Sequence, residues 1–337
     1  MKLRPLRPGG EGDFRLLNQF SSWSGWREIA RARLTYNCLM PVPAPLSLTL
    51  ALGGGGAKSA AQAGVLNVLE ENGLPVGPLV GISGGGLVAL LYGAGYTPRQ
   101  IRDYFAETQL LEVWEPDPER RSIFGAEKIR ARFQRLVGDK TFADLQRPAL
   151  ALAMDLATAQ LVRLDSGLLV EALMATMAIP SLFPGVRRDG RLLVDCGVIN
   201  PLPVDVAREL GPRVVAVDVL HHTTPDEASH LFEHRGPLGY VADLSRTFSL
   251  DMLIGTAYQT AKIAMNRLSD LNLQLHPPDV LIRPAVGDVG LFAFDSAEQA
   301  FALGEAAAQA ALPQLTALAY PKKPPMWKRL IQRKKAD

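Results

Sequence analysis

A serine flanked by glycines is the residue of this sequence best suited to nucleophilic chemistry. Ser83 lies in the pattern G-x-S-x-G, whose glycines are Gly81 and Gly85. An apolar run typical of a buried strand precedes it, and an uncharged run typical of a buried helix follows. A sharp strand-to-helix turn holds a serine hydroxyl clear of the backbone, and glycines fit where the chain folds back beside it. The pattern predicts Ser83 as a nucleophile, although G-x-S-x-G also arises by chance in glycine-rich chains.

A second glycine-rich turn, residues 53–59, joins an expected strand to an expected helix. In such a turn, backbone N–H groups and a helix N-terminus face an anion. A phosphate-binding loop is rejected because Leu52 and Ala57 stand where its two glycines belong, and a dinucleotide fingerprint would lack its third glycine. The remaining interpretation is an oxyanion hole for the tetrahedral intermediate formed at the serine, made by the N–H groups of Gly54, Gly55 and Gly56.

The serine also needs a base, because a neutral hydroxyl is a weak nucleophile. A carboxylate can take its proton if partial burial raises the carboxyl pKa. Asp195 follows an apolar strand at 191–194, which an Asp189-Gly190 turn introduces as a hairpin. It therefore lies at a strand end, where a site can form. Its other interpretation is an aspartate that begins the turn before Asn200, and without the serine in view that interpretation is preferred.

Other polar residues offer alternatives to this pair. His221 or His222 would complete the order serine, aspartate, histidine that is typical of α/β-hydrolases. Against such a triad, several strands precede the nucleophile in that fold, whereas about one βα unit precedes Ser83 here. Asp155 and Asp218 lie within expected strands and are interpreted as structural hydrogen-bond acceptors.

The elements that must position these residues follow from apolar periodicity and from start and stop signals. Strands are predicted at residues 46–52, 150–156, 191–194, 214–220 and 279–283. Helices are predicted at residues 23–39, 60–72, 203–210 and 238–271, and capping-box patterns open two more at Thr97 and Ser296. Residues 222–239 are an expected surface loop. The charged stretch 112–122, with Trp114, is either part of a lid or an ordinary exposed loop.

Three motifs in this order resemble the patatin-like phospholipases, over roughly residues 46–320. They are GGGAK at 54–58, GISGG at 81–85 and the block from PALALAMD to LLVDCGVINPLP within residues 148–211. The resemblance implies a three-layer α/β/α sandwich with a mostly parallel central sheet. It also implies hydrolysis of fatty-acyl esters of lipids such as (lyso)phospholipids by a Ser83–Asp195 dyad, with the glycine turn as oxyanion hole. Neither a metal nor an organic cofactor is expected.

Two positions depart from the motifs of that family. Cys196 replaces the middle glycine of D-G-[GA], which Asp195 and Gly197 complete, and Ser59 replaces the glycine after Lys58 in G-G-G-x-[KR]-G. Because a residue with a Cβ atom resists positive φ angles, Cys196 is expected to change the backbone near the base. The departures keep a second function open, a lipid-surface binding or regulatory protein with a weak or inactive site. Acyl transfer to an alcohol is a third.

Charge is unevenly distributed along the 337 residues, whose formal net charge is +2. Residues 1–45 carry +4 and residues 321–337 carry +6, which leaves −8 on residues 46–320. An acidic body argues against a nucleic-acid partner. We therefore expect an N-terminal extension (1–45), a catalytic domain (46–320) and a basic tail (321–337). The tail suits weak contact with an anionic membrane, and solvated termini are the alternative.

The sequence has two cysteines, and their spacing is not typical of a metal site. Its N-terminal residues are basic but lack the apolar segment of a secretory signal. Both features predict a reducing location. We expect a cytoplasmic protein, with peripheral contact at the inner face of the membrane. The longest uncharged run, residues 72–98, contains three prolines and eight glycines. Buried strand, turn and core helix therefore explain this run better than a membrane span does.

Overall fold

The computed structural model describes residues 46–109, 115–119, 122–221 and 250–321, with the backbone alone described for residues 250–258. The strands are β1 (Leu48–Leu52), β2 (Val76–Ile82), β3 (Ala149–Asp155), β4 (Leu161–Leu164), β5 (Val186–Arg188), β6 (Arg191–Val194), β7 (Val214–Val217) and β8 (Val280–Ile282). The helices are α1 (Ala60–Glu71), α2 (Gly84–Gly93), α3 (Pro98–Ala106), α4 (Glu127–Val137), α5 (Leu169–Thr176), α6 (Val204–Leu210), α7 (Leu250–Leu275) and α8 (Ala297–Ala319).

These strands form one sheet in the order β5-β6-β3-β2-β1-β7-β8, with β4 beside β3. Strands β3, β2, β1, β7 and β8 run parallel, whereas β4 and β6 run antiparallel to β3. Parallel neighbours need crossover connections, which place helices on the faces of the sheet. The carboxyl ends of the parallel strands meet at one edge, which is where ligand sites of open α/β sheets form.

Side chains alternate between the two faces of the sheet, so each face has its own core. In β1, Leu50 and Leu52 belong to the core that α1, α2 and α8 cover, whereas Ala51 belongs to the second core. Val204 and Val206 of α6 pack in that second core. The arrangement confirms the expected three-layer α/β/α sandwich with a mostly parallel central sheet.

Local sequence accounts for several boundaries. Helix α1 ends shortly before Gly73, whose φ of 62° is a left-handed conformation that glycine adopts without strain. Helix α3 begins with a complete capping box, in which Thr97 Oγ1 accepts the Gln100 N–H at 3.3 Å and Gln100 Oε1 accepts the Thr97 N–H at 2.9 Å. Strands β5 and β6 form the predicted hairpin, with Asp189 and Gly190 at φ 50° and 75°.

Two local predictions were wrong. Strand β7 ends at Val217, so Asp218 follows the strand and does not lie inside it. Helix α8 begins after Ser296, but no side-chain capping bond forms there, because Ser296 ends a 3-10 turn at φ −92° and ψ 11°, outside the extended conformation of a capping residue. The predicted helix at 23–39, the loop at 222–239, Trp114 and nearly all of the basic tail lie outside the described residues.

Candidate active site

Ser83 occupies the sharp turn between β2 and α2. Its φ of 54° and ψ of −125° are sparsely populated for a residue with a Cβ atom. A Cβ atom at Gly81 would overlap the carbonyl group of Gly85, and one at Gly85 would overlap the Gly53 carbonyl oxygen. The glycines of the motif are therefore required by close backbone approach, and they hold Ser83 at the carboxyl edge of the sheet.

Asp195 reaches this edge because β6 ends against the end of β2. Strand β4 pairs with one edge of β3, from Ala151 to Met154. On the other edge, Leu152 pairs with Ile82, the last residue of β2, and Met154 pairs with Val194, the last residue of β6. Because β2 and β6 run in opposite directions along that edge, their ends approach each other. The residues that follow, Ser83 and Asp195, are brought together by this geometry.

The Asp195 carboxylate is buried, with 6% of the residue exposed. One of its oxygens accepts the Gly197 N–H at 2.8 Å, and the Ser83 side chain is its other hydrogen-bonding neighbour. Burial raises the pKa of Asp195 to about 6, although the hydrogen bonds from Ser83 and Gly197 lower it in part. A carboxyl group with this pKa is ionised at neutral pH and is a stronger base than an ordinary aspartate.

The glycine turn lies beside the serine. A Cβ atom at Gly54 would be 3.6 Å from the Ser83 Cβ atom. The Gly54 N–H donates to the Pro201 carbonyl oxygen at 3.0 Å, which corrects the expectation that this group is available for an oxyanion. Among the described residues, no acceptor is bonded to the N–H groups of Gly55 and Gly56, or to that of Gly84 at the start of α2. These three N–H groups are candidates for the oxyanion hole.

The two polar residues after the turn are both buried. Lys58 is buried, and its Nζ donates to the Gly287 carbonyl oxygen at 3.2 Å, so it ties the turn to the segment after β8. Ser59 is fully buried, and its hydroxyl has no hydrogen-bond partner among the described residues. Its Oγ lies close to where Cβ atoms of Gly84 and Gly55 would be.

The backbone at Cys196 carries no positive-φ strain. Its φ angle lies outside the positive range, in a region that a residue with a Cβ atom adopts readily. The fully buried side chain joins the second core with Ile82 and Val194. Burial raises the pKa of its thiol, which stays protonated. The Cys196 carbonyl oxygen accepts the N–H groups of Ile199 and Asn200 at 2.9 and 3.0 Å, so the turn after Asp195 is closed by backbone bonds.

Thr176 is a site residue that sequence reasoning missed. Its Oγ1 accepts the Ser83 N–H at 3.0 Å and donates to the Leu152 carbonyl oxygen at 2.7 Å. No local pattern distinguishes this threonine, which is the last residue of an apolar helix. Only the packing of α5 against β3 and α2 indicates its role.

The other candidate residues lie in ordinary structural interactions. Asp155 accepts the Thr158 hydroxyl at 2.8 Å in the turn between β3 and β4. Asp218 pairs with Arg283 at 3.1 Å. His221 contacts the Asp218 carbonyl oxygen at 3.1 Å, and no histidine among the described residues bonds to Asp195 or Ser83. The structure therefore gives no support to the triad with His221, and His222 lies outside the described residues.

Within the described residues there is no cluster of three or more His, Cys, Asp or Glu side chains that could hold a metal ion. None of the helices in the described part of the chain has the length and apolar character of a membrane span.

The sequence model of the patatin-like phospholipases matches residues 50–208. This stretch begins in β1 and ends in α6, and it contains the glycine turn, Ser83, Thr176 and Asp195. Over these residues the chain matches the patatin-like phospholipase family. The resemblance noted in the sequence is thereby confirmed for residues 50–208.

Curated relatives are similar to about half of this chain. The chain is 34% identical over 177 residues to patatin-like phospholipase domain-containing protein 7 of Rattus norvegicus, which is 49% of this chain and 13% of that protein. It is 33% identical over 173 residues to human patatin-like phospholipase domain-containing protein 6, again 49% of this chain and 13% of the relative. An NTE family protein of Mycobacterium tuberculosis is 34% identical over 151 residues, 44% of this chain and 42% of that protein. The chain thus spans less than half the length of each relative.

Proposed function

We propose that the protein is a serine acyl hydrolase that cleaves fatty-acyl esters of lipids. Ser83 is the nucleophile and Asp195 the base, and the N–H groups of Gly55, Gly56 and Gly84 bind the oxyanion. The observation that carries the proposal is that the ends of β2 and β6 bring the buried Asp195 to a serine held in a strained turn, beside backbone donors without acceptors among the described residues. Each of these features is needed for acyl transfer to a hydroxyl group.

The reaction follows from these groups. Asp195 takes the Ser83 proton as the serine oxygen bonds to the ester carbonyl carbon, and the backbone donors stabilise the resulting oxyanion. The intermediate collapses with release of the alcohol, which takes the proton from Asp195, and the acyl group remains on Ser83. A water molecule then gives its proton to Asp195 and attacks the acyl-enzyme. Ser83 leaves with that proton, and the fatty acid is released.

A lipid substrate is supported by the family. The matched region bears the name patatin-like phospholipase, and so do two of the relatives described above. Because the chain spans only part of those relatives, the lipid class, the acyl-chain length and the position cleaved are left to the assay.

The test is hydrolysis of p-nitrophenyl esters and lysophosphatidylcholine by the wild type, Ser83→Ala and Asp195→Asn. We expect both substitutions to lower kcat/KM by about 1,000-fold or more. The wild-type kcat/KM should rise through pH about 6, where Asp195 loses its proton. A wild type that is inert toward these esters and toward a fluorophosphonate probe would sink the proposal and leave a lipid-binding role. Added glycerol or lysophospholipid tests for acyl transfer through new ester products.

A further inference from the structure

The end of helix α5 contacts the backbone of both proposed catalytic residues. Thr176 Oγ1 accepts the Ser83 N–H, and two residues further on the Ala178 carbonyl oxygen accepts the Asp195 N–H at 3.0 Å. One short segment of chain therefore bonds to the nucleophile and to the base. Its position sets the distance between them.

The Thr176 hydroxyl is placed where it can fix a strained residue. Ser83 precedes the first turn of α2, so its N–H has no partner within that helix. A sparsely populated φ and ψ combination persists only where the surroundings hold it. Thr176 supplies that support on one side, and its second bond, to the Leu152 carbonyl oxygen, anchors the hydroxyl to the end of β3.

Burial makes both bonds effective. Thr176 is 0% exposed, so water does not compete for the Ser83 N–H. Space around the side chain is limited, because a Cβ atom at Gly86 would lie 2.9 Å from Thr176 Oγ1 and 3.1 Å from its Cγ2. Valine has nearly the same shape as threonine, and serine keeps the hydroxyl, so both substitutions fit this space.

We propose that Thr176 is a positioning residue for the acylation step, acting through the backbone of Ser83. This inference rests on the proposed function, since it takes Ser83 as the nucleophile. Without the hydroxyl, Ser83 relaxes from its strained conformation and its Oγ moves away from Asp195 and from the donors of the glycine turn. The rate of attack falls, while the binding of the acyl group changes little.

The experiment measures phosphonylation of Ser83 by a fluorophosphonate, with kinact and KI determined separately and kinact expressed per titratable site. Thr176→Val removes the hydroxyl at constant shape, and Thr176→Ser restores it. Thr49→Val is the matched control, because Thr49 is another buried threonine, on β1 near the opposite end of the sheet. Melting temperatures are recorded for all variants. Should the valine variant not fold, Thr176→Ala undergoes the same measurement.

We expect Thr176→Val to lower kinact by about 10- to 100-fold with KI unchanged, and Thr176→Ser to stay within about threefold of the wild type. Thr49→Val should react at the wild-type rate per site. A purely structural role for Thr176 would lower the melting temperature and leave kinact unchanged, and that result overturns the inference alone. A wild type that the probe does not label overturns the proposed function, and this inference with it.

Discussion

The nucleophile half and the base half of this site are built in different ways. The turn that carries Ser83 is formed largely by nearby chain, because the glycines of the motif let β2, α2 and the preceding turn approach closely, and Thr176 adds one hydrogen bond from a distant helix. Asp195 is fixed by residues distant in sequence, through the arrival of β6, the Ala178 carbonyl oxygen and burial. A Cβ atom therefore does not fit at Gly81 or Gly85 beside the proposed nucleophile, whereas one at Gly197 beside the proposed base meets the Asp195 carboxylate at 3.2 Å.

Replacing glycines by alanine is expected to give the largest difference in the free energy of unfolding between the two halves. Gly85→Ala places a Cβ atom against the Leu52 and Gly53 carbonyl groups, which cannot move without displacing β1. We expect it to lower the free energy of unfolding by about 4 kcal/mol or more. Gly197→Ala places a Cβ atom 3.2 Å from Asp195 Oδ1, and only the carboxylate has to move. It should lower stability by about 1 kcal/mol and kcat by about tenfold.

Urea denaturation and ester hydrolysis measure these effects. Gly190→Ala is the control for backbone strain alone, because Gly190 has a φ of 75° and nothing within 4 Å of an added Cβ atom. It should lower stability by about 1 kcal/mol without a change in activity. Equal losses of stability in Gly85→Ala and Gly197→Ala would contradict the proposed difference between the halves.

The raised pKa of Asp195 predicts a dependence of stability on pH. The native pKa of about 6 exceeds the ordinary value of 3.8, so between these pH values the native state binds more protons than the unfolded state. The stability that the protonated Asp195 carboxyl contributes to the native state is therefore fully present below about pH 4, and it is lost as the pH rises through 6. Relative to the wild type, Asp195→Asn should gain about 2 kcal/mol of unfolding free energy between pH 4 and pH 7.

Denaturant titrations at several pH values test that gain. Asp155→Asn is the control of opposite sign, because the Thr158 hydroxyl lowers the pKa of Asp155. Its wild-type contribution is present above the unfolded pKa and is lost as the pH falls through the lower native value. A pH-independent difference between Asp195→Asn and the wild type would show that burial does not perturb the base.

Cys196→Gly tests whether the departure from the family motif affects catalysis. Because the Cys196 backbone has no positive φ angle, restoring glycine should change kcat/KM by less than about threefold. Removal of a fully buried side chain, together with the flexibility of glycine, should lower the unfolding free energy by about 1 to 2 kcal/mol. A large rise in kcat/KM would instead indicate that cysteine impairs the base.

The smallest expected effect is that of Ser59→Ala, on the nucleophile side. The buried hydroxyl of Ser59 makes no hydrogen bond among the described residues, so its desolvation is uncompensated. The alanine variant should be more stable than the wild type by about 1 kcal/mol, with unchanged kcat. A loss of stability, measured by thermal denaturation, would mean that Ser59 Oγ has a partner after all.

Much of the fold was predictable because local signals agreed with it. Apolar runs located most strands, Gly73 marked the end of α1, and Thr97 with Gln100 formed the expected capping box. The Ser296 cap failed because a preceding turn fixed the serine backbone in a conformation that a sequence pattern does not specify. Gly54 was expected to be a donor, and its N–H is instead occupied by Pro201, nearly 150 residues away along the chain.

The sequence alone indicated Ser83 as the proposed nucleophile, because a strand, a serine between glycines and a helix are all local features that a pattern can reveal. It also supplied Asp195 as a candidate base through the resemblance of its motif. The tertiary structure was needed to show that β6 ends near the end of β2, which N–H groups lack an acceptor among the described residues, and that Thr176 accepts the Ser83 N–H. These relations depend on pairings between residues far apart in sequence, which no periodicity encodes, and on burial, which sets the pKa of the base.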